Sequence, residues 1–325
     1  MHPAFSVIFL TTLIGVAQGL FLALYTGQLY SVVNVLPVQD SHSFYGLGSL
    51  LALVFLSGGL IASFFHLGRP ERAWRSATQW RTSWLSREVV VLPAFMGLTA
   101  LYGLIHYFDL NPVLFKFSGV FVVDLSLLVG AVNTLLAFTL FFCTGMIYAC
   151  IKFLQEWATP LTVVNYMLLG SASGFSLATA FAAYVGSELV TFYGAWAIII
   201  TLAAFVTRSA SLLRNARIKY KSSLRSAIGI RHAQIEQKSR GFMAGSFNTR
   251  EYFHGASAQS YRVVKWLFLL LVFPLPVVLI SIGLGSGVFV ILALAFAVQY
   301  LGLLAERWFF FAQANHPQNL YYQTV

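Results

Sequence analysis

The chain has 325 residues, 58% of them apolar and 16% aromatic, with only 9% charged and a mean hydropathy of +0.78. A soluble domain is usually about one quarter charged, so this composition excludes a water-soluble globular protein and an intrinsically disordered chain alike. Twenty Lys and Arg against ten Asp and Glu leave a net charge of +10, while two cysteines are too few for a disulfide framework or an iron–sulfur cluster of four thiolates.

A hydrocarbon layer about 30 Å thick needs roughly 20 apolar residues of helix. Eight stretches qualify, at 4–28, 45–66, 88–107, 125–150, 162–185, 190–207, 264–283 and 286–305. They are apolar all round and lack the alternation of barrel strands, which predicts an all-α integral membrane protein with eight transmembrane helices. The first stretch has no basic n-region and is long enough to span, so it reads as a retained helix rather than a signal peptide. Apolar sequence runs almost unbroken from Val113 to Phe153, and Asp124 marks the outer end of the fourth span. There is no clear internal repeat. The two basic loops nevertheless fall after the second span of each half, which suggests two four-helix halves within a single membrane-anchor domain over 1–325.

Eight spans place both termini and the 2–3, 4–5 and 6–7 loops on one side. That side carries nineteen of the twenty basic residues, leaving Lys116 on the other. By the positive-inside rule it is cytoplasmic, and the expected location is a bacterial inner membrane with both termini inside. Segment 208–265 holds twelve basic residues against Glu236 and Glu251, which equals the whole net charge. Its run RSASLLRNARIKYKSSLRSAIGIRH is expected to form a basic helix along the membrane surface, contacting anionic lipid or an acidic partner. Nothing in it resembles a nucleic-acid recognition module.

Polar residues limit the chemistry. Bis-histidine heme needs two mid-span histidines, whereas all seven lie at span ends, termini or loops, so no heme is expected. No His or Cys pair shows metal-ligand spacing within one loop. Cys143 and Cys150 read as packing residues. The mid-span polar residues Gln18, Asn133, Asn165 and Gln299 are neutral, and Asp124, Glu156, Glu188 and Glu306 fall near span ends, which disfavours a carrier. Pro93 and the Pro274–Pro276 pair are candidate kinks.

The densest polar chemistry is FFHLGRPERAWRSATQWRTSWLSREVVVLP, between spans two and three. His66 closes one span and Glu88 opens the next, with arginines and Trp74, Trp80 and Trp84 between. A quinone headgroup has apolar faces and two acceptor carbonyls, and its two-electron reduction takes up two protons. A near-neutral histidine with a carboxylate facing it suits both needs. The same residues also fit a purely structural role. His66 and Gly68 make a helix stop, Glu88 suits a helix start, and the arginines and tryptophans suit the membrane interface.

The runs HLGRPERAWRS at 66–76 and LSRE at 85–88 resemble the HLG-x-P-x-RA…LS-x-E signature of the dimethyl sulfoxide reductase membrane-anchor family, within the polysulfide reductase-like superfamily. MIYACIKFLQEWATPLTVVNYMLLGSASGF at 146–175 and ERWFFFAQANHPQNLYYQ at 306–323 are similar to a proteobacterial branch whose complexes oxidize sulfite in the cytoplasm. The resemblance implies a non-catalytic third subunit beside a molybdopterin subunit and an iron–sulfur, ferredoxin-like subunit. It implies no heme and no cluster in this chain, and electron exchange with exchangeable membrane quinone. His66 and Glu88 match the family's functionally implicated pair, as quinone ligands or proton relay. Gly68 and Arg72 match its signature, Arg72 either supporting the loop or contacting the iron–sulfur subunit. Arg69, Glu71 and the long basic 6–7 loop depart from the pattern. Cytoplasmic placement of the quinone loop favours sulfite oxidation. The alternatives are a quinol-oxidizing anchor of a dimethyl sulfoxide or other S- or N-oxide reductase, and a structural tether.

Overall fold

A computed structural model describes residues 1–117, 121–220, 222–232, 234–236, 253–317 and 319. Eight helical segments are long and apolar enough to cross a membrane. They are α1 (Phe5–Val32), α2 (Leu47–Phe64) with the π turn Ser41–Gly46 before it, α3 (Trp84–Tyr107), α4 (Leu125–Ala149), α5 (Pro160–Val185), α6 (Val190–Ala216), the pair α8 (Ala258–Val272) and α9 (Pro274–Ser286), and α10 (Phe289–Gln313). The one-turn α7 (Leu224–Ile228) lies between α6 and α8.

Local chemistry explains the ends. Asp124 caps α4, its carboxylate accepting from the Leu127 amide at 2.8 Å, as expected where it marks the outer end of that span. Thr159 precedes Pro160 at the start of α5, and Gly186 closes that helix at φ +77°, a left-handed position suited to glycine. Before α4, Val113–Phe117 (β1) and Phe121–Asp124 (β2) pair antiparallel. The long apolar run from Val113 therefore holds two paired strands before a single span.

The centre of the bundle is α1 against α5, the two most buried spans. Both carry glycines four apart, Gly15 with Gly19 and Gly170 with Gly174. A Cβ at Gly19 would lie 2.9 Å from the Cα atoms of both Ser171 and Gly174. Small residues at this crossing let the backbones touch, which is how dispersion drives helix association in lipid. Span two and span four flank α1, span three lies between them, and α6 and α10 flank α5.

Span six and the basic segment after it differ from their sequence reading, while the candidate kink at Pro274–Pro276 is realised as a break. Span six runs on to Ala216 rather than stopping at 207, because Arg208 and Ser211 are buried inside the bundle. The surface helix expected over RSASLLRNARIKYKSSLRSAIGIRH is therefore not formed: its first third is span six, and only Leu224–Ile228 is helical beyond it among the described residues. Span seven is broken. Phe273 has φ −111° and ψ −78° before Pro274, whose ring removes a backbone donor. Gln299 of α10 donates to the Val272 carbonyl beside the break at 3.3 Å, supplying from a neighbouring helix what the ladder lost. Pro93, by contrast, sits within a continuous α3. Cys143 is buried as expected, but Cys150 is exposed at the end of α4 rather than packed.

Candidate functional site

The loop between α2 and α3 is held by its own backbone and by two side chains of α3, Arg87 and Ser86. α2 ends at Phe64, and the chain tightens through i→i−3 bonds from Phe65 to Ala62 and from His66 to Ser63. Gly68 is absent from the left-handed positions and lies four residues past the helix, so it is not the cap that its spacing suggests. Pro70–Ala77 forms a 3-10 helix on the surface. Arg87 of α3 reaches back, donating to Trp80 O at 2.9 Å and Arg81 O at 2.8 Å while its guanidinium stacks 4.0 Å over Trp84. Ser86 Oγ donates to Ser76 O. Trp74 and Trp80 stay exposed, as an interfacial position requires.

His66 stands exposed at the end of α2, and no side-chain hydrogen bond engages its ring among the described residues. Partial desolvation by the surrounding protein holds its pKa below the ordinary value of 6.5. Arg72 is likewise exposed, 3.9 Å from its chain neighbour Glu71. A surface pair of that length contributes little.

Glu88 behaves differently. With Ser83 as cap and Trp84 as first residue, it falls in the second turn of α3, past the zone where a carboxylate would serve the helix start. Its side chain is buried and accepts from Thr144 Oγ1 of α4 at 2.5 Å. It lines an internal chamber of about 20 Å³, room for about one water molecule. Around that chamber stand Thr11, Thr12 and Gln18 of α1, Tyr166 and Ser173 of α5, and Arg307 of α10. Four spans besides α3 thus contribute polar residues to the chamber that Glu88 lines, and among the described residues Thr144 alone donates to its carboxylate.

Arg307 leads to a second buried set. Its guanidinium lies 3.7 Å over the Tyr166 ring, and Nη1 is 3.4 Å from Glu306 Oε2. Glu306 Oε1 in turn is 2.7 Å from Arg208 Nε of α6, with both side chains almost wholly enclosed. Arg307 and Glu306, expected just past span eight, lie inside α10, and Arg208, expected in the basic loop, lies inside α6. The bundle core is therefore charged, not neutral. With Glu88 ionised, Glu88, Glu306, Arg208 and Arg307 hold two charges of each sign. A proton on Glu88 leaves one positive charge in excess.

The structure thus places His66 and Glu88 at the same end of successive spans but gives them different surroundings. His66 faces outward, and Glu88 faces the chamber, which His66 does not line. The expected carboxylate facing a histidine is not what this geometry presents. Thr144, Tyr166 and Arg307 are not singled out by the sequence. The available signal was an adjacent Glu–Arg pair at the end of an apolar stretch, where an ionisable residue inside a span is a functional hypothesis by default.

Among known proteins, the profile of the DMSO reductase anchor subunit (DmsC) matches residues 1–232. Over all 325 residues of both chains, the protein is 57% identical to a sulfite dehydrogenase subunit of Allochromatium vinosum.

Proposed function

The chain belongs to the DMSO reductase anchor subunit (DmsC) family, and from that premise we propose that it is the quinone-interacting membrane anchor of a three-subunit molybdopterin oxidoreductase. An iron–sulfur subunit docks on the basic face, which is cytoplasmic by its charge, and a molybdopterin subunit oxidizes sulfite there. The relative named as a sulfite dehydrogenase subunit, matched end to end, supports that substrate.

The observation that carries the quinone assignment is the contrast between His66, exposed, and Glu88, buried, at the same end of successive spans. His66 is open at the end of α2 with its ring nitrogens unengaged by side-chain partners, beside the exposed Phe64 and Phe65. That surface fits a flat headgroup with acceptor carbonyls. Bound quinone supplies the two-electron, two-proton acceptor chemistry. His66, neutral around pH 7, orients a headgroup carbonyl and hands over a proton from the aqueous edge. Glu88 holds a second proton against the chamber, and Arg307 balances its charge once that proton has left. Burial inside the bundle keeps bulk water from Glu88, so proton movement there runs through Thr144 and the chamber.

The test is sulfite-dependent reduction of a soluble quinone analogue by the purified complex. The expected result is turnover that His66→Ala abolishes while the complex stays assembled and sulfite oxidation with an artificial acceptor persists. Normal quinone-linked turnover in assembled His66→Ala would overturn the site. A complex that consumes quinol to reduce an S-oxide, or one whose catalytic subunit carries an export signal, would overturn the sulfite reading.

A further inference from the structure

The break in span seven opens a groove on the outside of the bundle. α6 meets this span mainly through α9, while α8 packs on α10. Between α6 and the α8–α9 break lies a volume of about 760 Å³, walled by Phe205, Leu212, Trp266, Leu269, Phe273 and Val277 among others. Apart from the Trp266 indole, its polar lining consists of Ser209 and Lys265.

Those two polar groups are not scattered. Ser209 lies seven residues before the end of α6 at Ala216, and Lys265 seven residues after the start of α8 at Ala258. At a rise of about 1.5 Å per residue, each stands about 10 Å from the basic end of its helix. Arg262, exposed, precedes Lys265 by one turn on the same helical face, and Trp266, Leu269 and Phe273 continue that face into the hydrocarbon. The ammonium of Lys265 lies 5.9 Å from the Trp266 ring and meets no acidic side chain among the described residues. The groove therefore runs from two cations through an interfacial tryptophan to an apolar slot.

We propose that this groove is a binding site for an anionic phospholipid of the leaflet on the basic face. The phosphate sits between Arg262 and Lys265, and an acyl chain fills the slot left where span seven bends away from α6. A neutral lipid or a quinone would use the slot but leave both cations without a counter-charge. The lipid bridges α6 to α8 at the level where protein contact between them is thin.

Native mass spectrometry of the full complex decides this, after exchange into nanodiscs of equal parts phosphatidylglycerol and phosphatidylcholine and mild release into detergent. The wild type is expected to keep phosphatidylglycerol in preference to phosphatidylcholine. Arg262→Ala and Lys265→Ala should each lower that retention by about fivefold, the factor expected for one basic side chain at an anionic surface. Leu270→Trp keeps both cations but fills the slot from an exposed position, and should lower retention of either lipid. Equal retention of the two lipids by the wild type, retained quinone in place of phospholipid, or retention unchanged in Leu270→Trp would each overturn the proposal. Should the charge variants fail to assemble, Leu270→Trp and the lipid preference of the wild type decide it alone.

Discussion

Arg208 Nε of α6 stands 2.7 Å from Glu306 Oε1 of α10, with both side chains almost completely enclosed by the bundle. Removing one partner of such a pair strands the other charge, at a cost of about 3–5 kcal/mol, whereas replacing both with apolar residues of similar volume is close to neutral. Glu306→Gln should therefore lower the thermal midpoint of the detergent-solubilised complex sharply. Arg208→Met combined with Glu306→Leu should recover only part of the loss, because Arg307, 3.4 Å from Glu306 Oε2, still loses its partner. A double variant as unstable as the single one would show that the pair does more than balance charge.

Glu88→Gln keeps the volume of the side chain and an acceptor oxygen for Thr144, but it cannot exchange a proton. Quinone-linked turnover should fall by about 10²-fold or more, the range for loss of a positioned acid–base group. Assembly and sulfite oxidation with an artificial acceptor should be unchanged. Thr144→Val, which removes only the donor, should give a smaller decrease. Wild-type turnover in Glu88→Gln would remove Glu88 from the proton path.

The pKa of His66 lies below its ordinary value of 6.5 because the folded protein partly desolvates the ring. Between the two values the folded chain therefore binds fewer protons there than the unfolded chain. Its contribution to stability is full above 6.5 and is lost as pH falls through the lowered value. Quinone-linked turnover should therefore fall on an acid limb centred below 6.5. The decline should vanish in His66→Gln. An acid limb centred above 6.5, or one that survives in His66→Gln, would contradict this assignment.

At the α1–α5 crossing, Gly174 lies against the backbone of Gly19 and Leu20. Any side chain there meets main chain that cannot rotate away. Gly174→Ala should cost about 1–3 kcal/mol by overpacking, and Gly174→Leu should prevent assembly, read as loss of the complex on native gels. Gly97→Ala in α3, where a Cβ would meet nothing within 4 Å, should be silent. Equal effects at the two positions would mean that the crossing is not close-packed.

Much of this architecture was legible in the residues because lipid imposes few solutions. Apolar runs such as 4–28 must be helical where no water can satisfy the backbone. Asp124 ends a span because a carboxylate there both caps α4 and avoids hydrocarbon. His66 and Glu88 were legible as a polar pair from their loop and its family signature. Their orientations were not. A periodicity argument places residues on a helix but does not say which neighbouring helix each face meets, so the inward turn of Glu88 onto Thr144 stayed hidden.

Arg208, Glu306 and Arg307 show where reading by composition fails. A charge costs free energy in hydrocarbon, so each reads as the mark of a span end. Each is instead accommodated by a partner on another helix or beside it, at separations of 2.7 and 3.4 Å. The sequence by itself determined the membrane setting, the number of spans and the lopsided charge, because these follow from transfer free energies that add along the chain. Only the tertiary structure decided which ionisable groups lie inside the bundle and which helices share a chamber, because pairing and burial depend on contacts between residues far apart in the chain.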